Sequence, residues 1–404
     1  MKTIWIVSGG AEAIPGIIRA KELGLHVVVS DGNESAPGFE YADDSVVAST
    51  YDIDATVQAA YDYSHNNRKI DGVISIASDV PVTVAAVAHE LGLPGISVET
   101  ARLACDKLAM KQRFAENSIP IPWFSEIESL KQLQDIIDKR GYPLIIKPVD
   151  SRGARGVLRL LEQHDLAWAY NYSKSYSPMG RVMVEEYLSG IQVSTEALIV
   201  NGQGFTSGFS DRNYEYLDRF SPYIIENGGH QPSVLAENDQ LELADTAVKA
   251  GLAMGIQNGV AKGDMVMTAD GPKVIEIAAR LSGGWFCTDQ IPLGTGVDLV
   301  GSAIKLALGE DLDTSLLKPQ WRKGVAIRYF FPPTGKIKSI ENTELFTQCP
   351  WVYKIGFFVK PGDEILTVTD HTKRAGYVIT TGDTRDEAID RAQEVISAVR
   401  IVTI

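Results

Sequence analysis

The stretch from Val260 to Trp285 constrains this chain more than any other. Val-Ala-Lys-Gly-Asp-Met-Val-Met and Lys-Val-Ile-Glu-Ile-Ala are alternating apolar segments joined through Asp270-Gly271-Pro272. Such alternation predicts a β-hairpin, in which residues two apart share a face. Asp264 lies on the first strand and Glu276 on the second, so the hairpin can bring two carboxylates together. Hard carboxylate oxygens suit Mg²⁺ held jointly with substrate phosphates. Arg280 follows at the end of the second strand, where a guanidinium fork can grip a phosphate or a developing oxyanion. The same residues also read as a surface hairpin with solvated acids, and the rest of the chain has to decide.

A length of 404 residues allows roughly two to four domains. With 45% hydrophobic and 22% charged residues and no repeat or low-complexity tract, the composition is that of an ordinary soluble protein. The net charge of -14 argues against a nucleic-acid or anionic-membrane binder, either of which needs a basic footprint. The first apolar run, Ile4 to Val7, stops at Gly9-Gly10 and Glu12, too short for the core of a signal peptide. No later run approaches the roughly 20 residues of a membrane helix, so a cytoplasmic protein is expected. Cys105, Cys287 and Cys349 are odd in number and widely spaced, as reduced thiols would be. The histidines show no paired metal-ligand spacing, so zinc is not expected.

The chain opens with a βαβ pattern, Thr3 to Gly10, a helix to Leu23 and a strand from His26 to Asp31. Asp31 raises the question of a dinucleotide site, but Gly9-Gly10-Ala11-Glu12 does not spell the required glycine pattern, and Glu12 would repel a pyrophosphate. A strand from Gly72 ends at Ser78-Asp79, placing both residues at the carboxyl edge of a sheet, where open α/β sheets bind ligands. Asp79 reads equally as a cap for the helix that follows. Thr100 to Asn117 is predicted as one helix carrying Lys107, Lys111 and Arg113, and Ser129 to Arg140 as another. Lys147 lies in the apolar strand Gly141 to Pro148 and needs an anionic partner if buried. Ser151-Arg152-Gly153-Ala154-Arg155-Gly156 is not a Walker loop. It reads as a hairpin loop able to lay amides and two arginines over phosphates, or as a plain turn.

Two further strands, ending in Glu185-Glu186-Tyr187-Leu188 and beginning at Gln192, form a hinge whose edge can hydrogen-bond an adenine and a ribose. The stretch Ser210 to Pro232, with Arg212, Glu226 and His230, is predicted as a long loop, and such loops are commonly functional. Gly208-Phe-Ser210 lacks the second glycine of a nucleophile elbow, so a serine hydrolase is not supported. Helices are predicted from Glu237 to Met254 and from Val297 to Leu308. Beyond Lys318-Pro319-Gln320 the chain becomes strand-rich and closes with a helix from Thr384 to Arg400.

This succession resembles the ATP-grasp superfamily: a βαβ-type start, Lys107, Lys147, a glycine-rich hairpin, Glu185-Glu186-Tyr187, Asp264, Glu276 and Arg280. The first part, with Asp31-Gly-Asn-Glu-Ser-Ala-Pro-Gly38 and Asp43, is similar to the branch holding biotin carboxylase, purine-biosynthesis ligases and bacterial L-amino acid ligases. The resemblance implies an α/β and α+β ATP-grasp fold with an N-terminal Rossmann-like domain (1–100), a lid subdomain (101–188), a catalytic subdomain (189–320) and a small C-terminal α+β domain (321–404). It implies ATP as the nucleotide, with Lys107, Lys147 and the Ser151 to Gly156 loop on its phosphates, Glu185 to Leu188 at adenine, and Gln192 at the ribose in place of the usual acid. Asp264 and Glu276 would hold one or two Mg²⁺, for which Mn²⁺ can substitute, and Arg280 would stabilise an acyl-phosphate. Family members usually carry Asn two residues after the second acid; this chain has Ala278. Substrate contacts are expected from Ser78, Asp79, Arg212 and Glu226, from His230 unless it simply satisfies its own loop, from Ser282-Gly283-Gly284 through backbone amides, and from Trp285 as a pocket wall or as plain core. The activity implied is ATP-dependent ligation of a small carboxylate to an amine, with amino acids as the expected substrates. The alternatives are activation of bicarbonate and ATP binding with little turnover. Relatives in this branch are often dimers, which admits a homodimer here.

Overall fold

A computed structural model describes residues 1–404. The chain forms two compact units, each gathered from separate stretches of sequence. The first comprises Met1–Ile121, Ser194–Phe209 and Leu235–Trp321, and the second Pro122–Val193, Ser210–Val234 and Arg322–Ile404.

The first unit begins with a parallel sheet ordered Asp44–Val47, His26–Asp31, Thr3–Val7, Gly72–Ile74. Every residue of Thr3–Val7 is buried, the continuous apolar run that a strand covered on both faces requires. Ile4 and Ile6 pack with Ile17 and Ala20 of the Ile14–Glu22 helix, whereas Trp5 and Val7 pack with Ala60 and Val87 from the Ile53–Asn66 and Pro81–Glu90 helices. Asp31 accepts hydrogen bonds from the Gly9 amide (2.8 Å) and Ser8 Oγ (3.3 Å), so its carboxylate shapes the turn after the first strand.

The predicted helix Thr100 to Asn117 is two helices, Val98–Cys105 and Lys107–Glu116. They part at Asp106, whose extended backbone lets its carboxylate accept from the Ala109 amide at 2.8 Å. A side chain that satisfies a first-turn amide competes with helix continuation, and Lys107 becomes the first residue of a new helix.

The predicted hairpin is present as Gly259–Thr268 and Gly271–Ala278, with the Glu237–Ala253 helix packed on it. Its turn falls one residue earlier than expected: Thr268 pairs with Gly271, so Ala269 and Asp270 make the connection and Gly271 and Pro272 already belong to the second strand. Gly271 has φ 100°, and Thr268 Oγ1 donates to its carbonyl at 2.8 Å. That backbone conformation costs glycine little. In sheet order the 194–200 part of one strand and the 203–209 part of the next follow the hairpin.

In the second unit an antiparallel sheet is ordered Phe124–Ile127, Val182–Glu186, Leu144–Pro148, Leu158–Leu160. The Leu130–Arg140 and Leu166–Ser175 helices bury Leu133, Ile137 and Ala169 with Ile146, Leu158 and Val184 of this sheet. Also in this unit, consecutive paired strands run Gly229–Gln231, Gly324–Phe330, Gly376–Gly382, Val352–Phe357, with Ala388, Ala392 and Val395 of the Arg385–Ala398 helix packed against Ala326 and Val378. The predicted loop from Ser210 to Pro232 is therefore partly strand. Ser210–Arg212 ends one strand, and Gly229–Gln231 pairs with it through Asp211 and His230 and with Ile327 through Gly229. No helix is long and apolar enough to cross a membrane.

Candidate active site

Asp264 and Glu276 are direct register partners across the hairpin. Opposed residues of an antiparallel pair hold their Cβ atoms roughly 4.5–5.5 Å apart on one face, so strand geometry alone sets the two carboxylates side by side. Each carries a cation: Lys262 Nζ bonds Asp264 Oδ1, and Lys107 Nζ lies 3.5 Å from Glu276 Oε2. Ser194 Oγ also donates to Asp264 Oδ1 at 3.4 Å. A β-bulge follows Asp264, a device that re-aims side chains next to sites. Two opposed carboxylates fit Mg²⁺, which takes one or two of them and completes its shell with substrate oxygens. No group of three or more His, Cys, Asp or Glu gathers elsewhere to form a protein cage for a metal.

Arg280 lies two residues beyond the second strand. Its Nε donates to Asp79 Oδ1 at 3.3 Å and its Nη1 to the Leu281 carbonyl at 3.3 Å. Burial works against its charge, but Asp79, then Glu196 and Glu276, more than offset that, and the guanidinium is held charged more firmly than a free arginine. Asp79 is not the cap of the following helix: that helix starts from Val80 with no side-chain cap, and the Asp79 carboxylate turns to Arg280 instead. The sheet edge and the hairpin are joined beside it. Ile76 bridges Leu281, and the Ala77 amide donates to the Leu281 carbonyl at 3.2 Å. Ser78 is half-buried, its carbonyl accepting from Ser75 Oγ at 3.3 Å.

The Ser282-Gly283-Gly284 amides are expected to cradle a substrate carboxylate, but two of them already hold carboxylates of the chain itself. Glu196 accepts from the Ser282 amide at 2.8 Å and from Ser282 Oγ. Glu12 accepts from the Gly284 amide at 2.6 Å. A side chain at Gly283 would begin 2.7 Å from Glu12 Oε2, so glycine is what lets that carboxylate approach. Glu196 is wholly buried, and burial raises its pKa against the opposing pull of its Ser282 bonds, Arg280 and Lys262. Trp285, 3% exposed, is core, and its φ of 53° is rare for a bulky residue.

In the second unit Lys147 finds its anionic partner. Glu185 Oε1 lies 2.5 Å from Lys147 Nζ, and both side chains are buried. The Ser151 to Gly156 segment connects two paired strands, as expected, with positive φ at Gly153, Ala154 and Gly156. Arg155 Nε donates to the Arg152 carbonyl at 2.9 Å, and the Gly153 carbonyl accepts from the His371 amide at 3.3 Å. The Glu186 amide is engaged by the Trp123 carbonyl at 2.9 Å. The Tyr187 ring lies 5.9 Å from the Arg159 guanidinium, Leu188 is buried and Gln192 half-buried. Arg212 and Glu226 pair with each other at 2.6 Å, and Arg374 donates to the Glu226 carbonyl at 2.6 Å. His230 is buried against Arg385, its Nδ1 3.3 Å from Nη2. Burial, then the charges of Arg328 and Arg385, pull its pKa down to about 3, so the ring is neutral.

Four residues of the first unit went unremarked as site groups in the sequence: Glu12, Ser194, Lys262 and Glu196. For Lys262 and Ser194 a signal existed. Lys262 is two residues from Asp264 on the same strand face, and Ser194 follows Gln192 by the same step. Glu12 and Glu196 reach partners 272 and 86 residues away, and no local pattern announces that.

Comparison with known proteins places this geometry. The ATP-grasp domain model matches residues 104–284, the ATP-grasp N-terminal domain model residues 18–95, and the L-amino acid ligase C-terminal domain 2 model residues 328–403. The two ATP-grasp models together match more than half of the chain, which belongs to the ATP-grasp superfamily. It is 27% identical over 389 residues to the uncharacterized protein y4rH of Sinorhizobium fredii, covering 93% of this chain and 78% of that one. It is 26% identical over 263 residues to human carnosine synthase 1, covering 60% of this chain but spanning only 31% of that enzyme. The L-amino acid ligase of Bacillus licheniformis has the same fold, with TM-score 0.82, 21% identity, and coverage of 100% of this chain and 99% of that structure.

Proposed function

We propose that this protein joins a small carboxylate to an amine at the expense of ATP, through an acyl-phosphate, with an amino acid among its substrates. The observation that carries the reading is the hairpin pair Asp264 and Glu276, with Lys107 and Arg280 gathered beside it in one unit. The chemistry asks for this combination. A carboxylate is a poor electrophile, so its oxygen attacks the γ-phosphorus of ATP, the bond to the β-phosphate oxygen breaks, and ADP leaves. The amine then attacks the acyl carbon and the C–O bond to phosphate breaks. Inorganic phosphate departs and the nitrogen gives up a proton. No side-chain nucleophile is needed; positioning and charge neutralisation supply the catalysis.

In this reading Asp264 and Glu276 hold Mg²⁺, which would neutralise phosphate charge as it develops. Lys107 turns its ammonium from Glu276 to a phosphate. In the second unit, Lys147 and the amides of the Ser151 to Gly156 loop offer phosphate oxygens a cation and donors of their own. The hinge offers adenine the backbone of Tyr187 and Leu188, and Gln192 bonds the ribose. Arg280, fixed by Asp79, faces the acyl-phosphate. The amide-forming reading draws support from the L-amino acid ligase model over residues 328–403.

The test is release of ADP and phosphate by the purified protein with Mg-ATP, across a matrix of amino acids, other small carboxylates and bicarbonate, with mass spectrometry of the products. A carboxylate and an amine required together, with a new amide mass, is the expected result. Release driven by bicarbonate alone would replace this reading with carboxylation.

A further inference from the structure

The hairpin face that carries Asp264 and Glu276 continues for one more register pair, and there Lys262 stands opposite Ala278. Strand alternation puts Lys262 on the face of Asp264, and Ala278 on the face of Glu276. The four positions thus present two carboxylates, one ammonium and one methyl group. Lys262 Nζ bonds Asp264 Oδ1, and its side chain is only 13% exposed. Glu196, buried on a neighbouring strand, is also within electrostatic reach of Lys262. Ala278, 7% exposed, offers no donor atom, and its small side chain leaves the face open to the long lysine.

A divalent ion on this face can share Asp264 and Glu276. A second one would need further oxygen donors, and the next pair provides none. It would also have to settle beside an ammonium already held by Asp264, where like charges repel strongly because water is partly excluded. An ammonium is itself a compact point charge suited to phosphate oxygens.

We propose that Lys262 stands, as a fixed monovalent cation, where a second divalent ion would otherwise sit, so that this chain works with a single divalent ion per nucleotide. The inference rests on the ATP-binding reading of the hairpin, but not on any particular ligation reaction.

It is tested by counting ions rather than by turnover. The full-length protein, saturated with an ATP analogue bridged by a methylene between the β- and γ-phosphates, is titrated with Mn²⁺. Bound ion is read from loss of the free-ion paramagnetic resonance signal. One Mn²⁺ per wild-type chain is expected, with Lys262→Gln gaining a second and Lys262→Arg, which keeps the charge, staying at one. Two ions per wild-type chain would overturn the proposal. So would a Lys262→Gln variant that unfolds at the wild-type temperature yet still binds one. If Lys262→Gln does not fold, the wild-type and Lys262→Arg counts decide. Nucleotide bound with no Mn²⁺ would remove both this inference and the divalent-ion reading of Asp264 and Glu276. One Mn²⁺ bound per chain without ADP release from any substrate combination would instead sink the ligase reading and leave Lys262 in place.

Discussion

Lys147 Nζ lies 2.5 Å from Glu185 Oε1, with the two side chains 4% and 5% exposed. Removing one member strands the other as an uncompensated buried charge. Lys147→Met or Glu185→Leu alone is expected to destabilise the protein by about 3–5 kcal/mol, whereas the double replacement costs far less. Urea unfolding of the three variants checks this, and additive losses would contradict it.

Arg280 is expected to carry the chemical step. Arg280→Ala should fold normally and lose on the order of 10²-fold or more in kcat. Asp79→Asn, which removes the arginine's partner but leaves the guanidinium, should lose less. Steady-state ADP release gives both values, and an unchanged kcat in a folded Arg280→Ala protein would take Arg280 out of the mechanism.

Glu276→Gln is expected to keep the fold while turnover drops by a similar order, about 10²-fold or more. The amide retains the shape but not the charge that Lys107 faces and that a divalent ion would share. Circular dichroism and ADP release together test this, and turnover that persists with an unaltered Mg²⁺ requirement would contradict it.

Asp106→Ala removes the cap that separates two helices and fixes where Lys107 begins its own. A loss of about 1 kcal/mol in stability is expected. The affinity for ATP should fall with it, because the lysine rides on the capped turn. Calorimetry of nucleotide binding separates the two effects; intact affinity would show that Lys107 is positioned without the cap.

His230 is neutral in the fold, with a pKa of about 3 set by burial and the neighbouring arginines. The unfolded chain takes up a proton near its ordinary value of about 6.5, so it binds more protons than the folded chain between those two values. The stability His230 contributes is therefore complete above pH 6.5 and is lost as pH falls toward 3, at a slope of up to about 1.4 kcal/mol per pH unit. His230→Asn should flatten that slope in unfolding measurements between pH 6 and pH 4, and an unchanged slope would show that other groups set it.

Much of this architecture was legible in the sequence because it follows from local periodicity. The alternation on either side of Asp270 marked the hairpin, and the buried run Thr3–Val7 marked the parallel sheet. The lone lysine in an apolar strand foretold a buried ion pair. Misreadings arose where a local signal was outvoted. The helical pattern ran unbroken through Cys105-Asp106-Lys107, although an aspartate there competes for the first-turn amides. Gly229–Gln231 showed no alternation because a three-residue strand is too short to display any. At the site, Asp264, Glu276 and Arg280 could be placed from strand spacing. The carboxylates that fill the Ser282 and Gly284 amides could not, since their partners come together only when distant strands pack.

The bond from Glu12 to the Gly284 amide reaches from the first turn of the opening sheet to the loop that follows Arg280. Because Gly283 must stay bare for that contact, the two segments behave as a matched lock and ward. A chimaera that exchanges residues 1–100 for those of a relative would need to import both halves of the match. The opening segment is therefore a component of the frame around the proposed reaction centre, and modular swapping in this chain has its natural cut sites elsewhere.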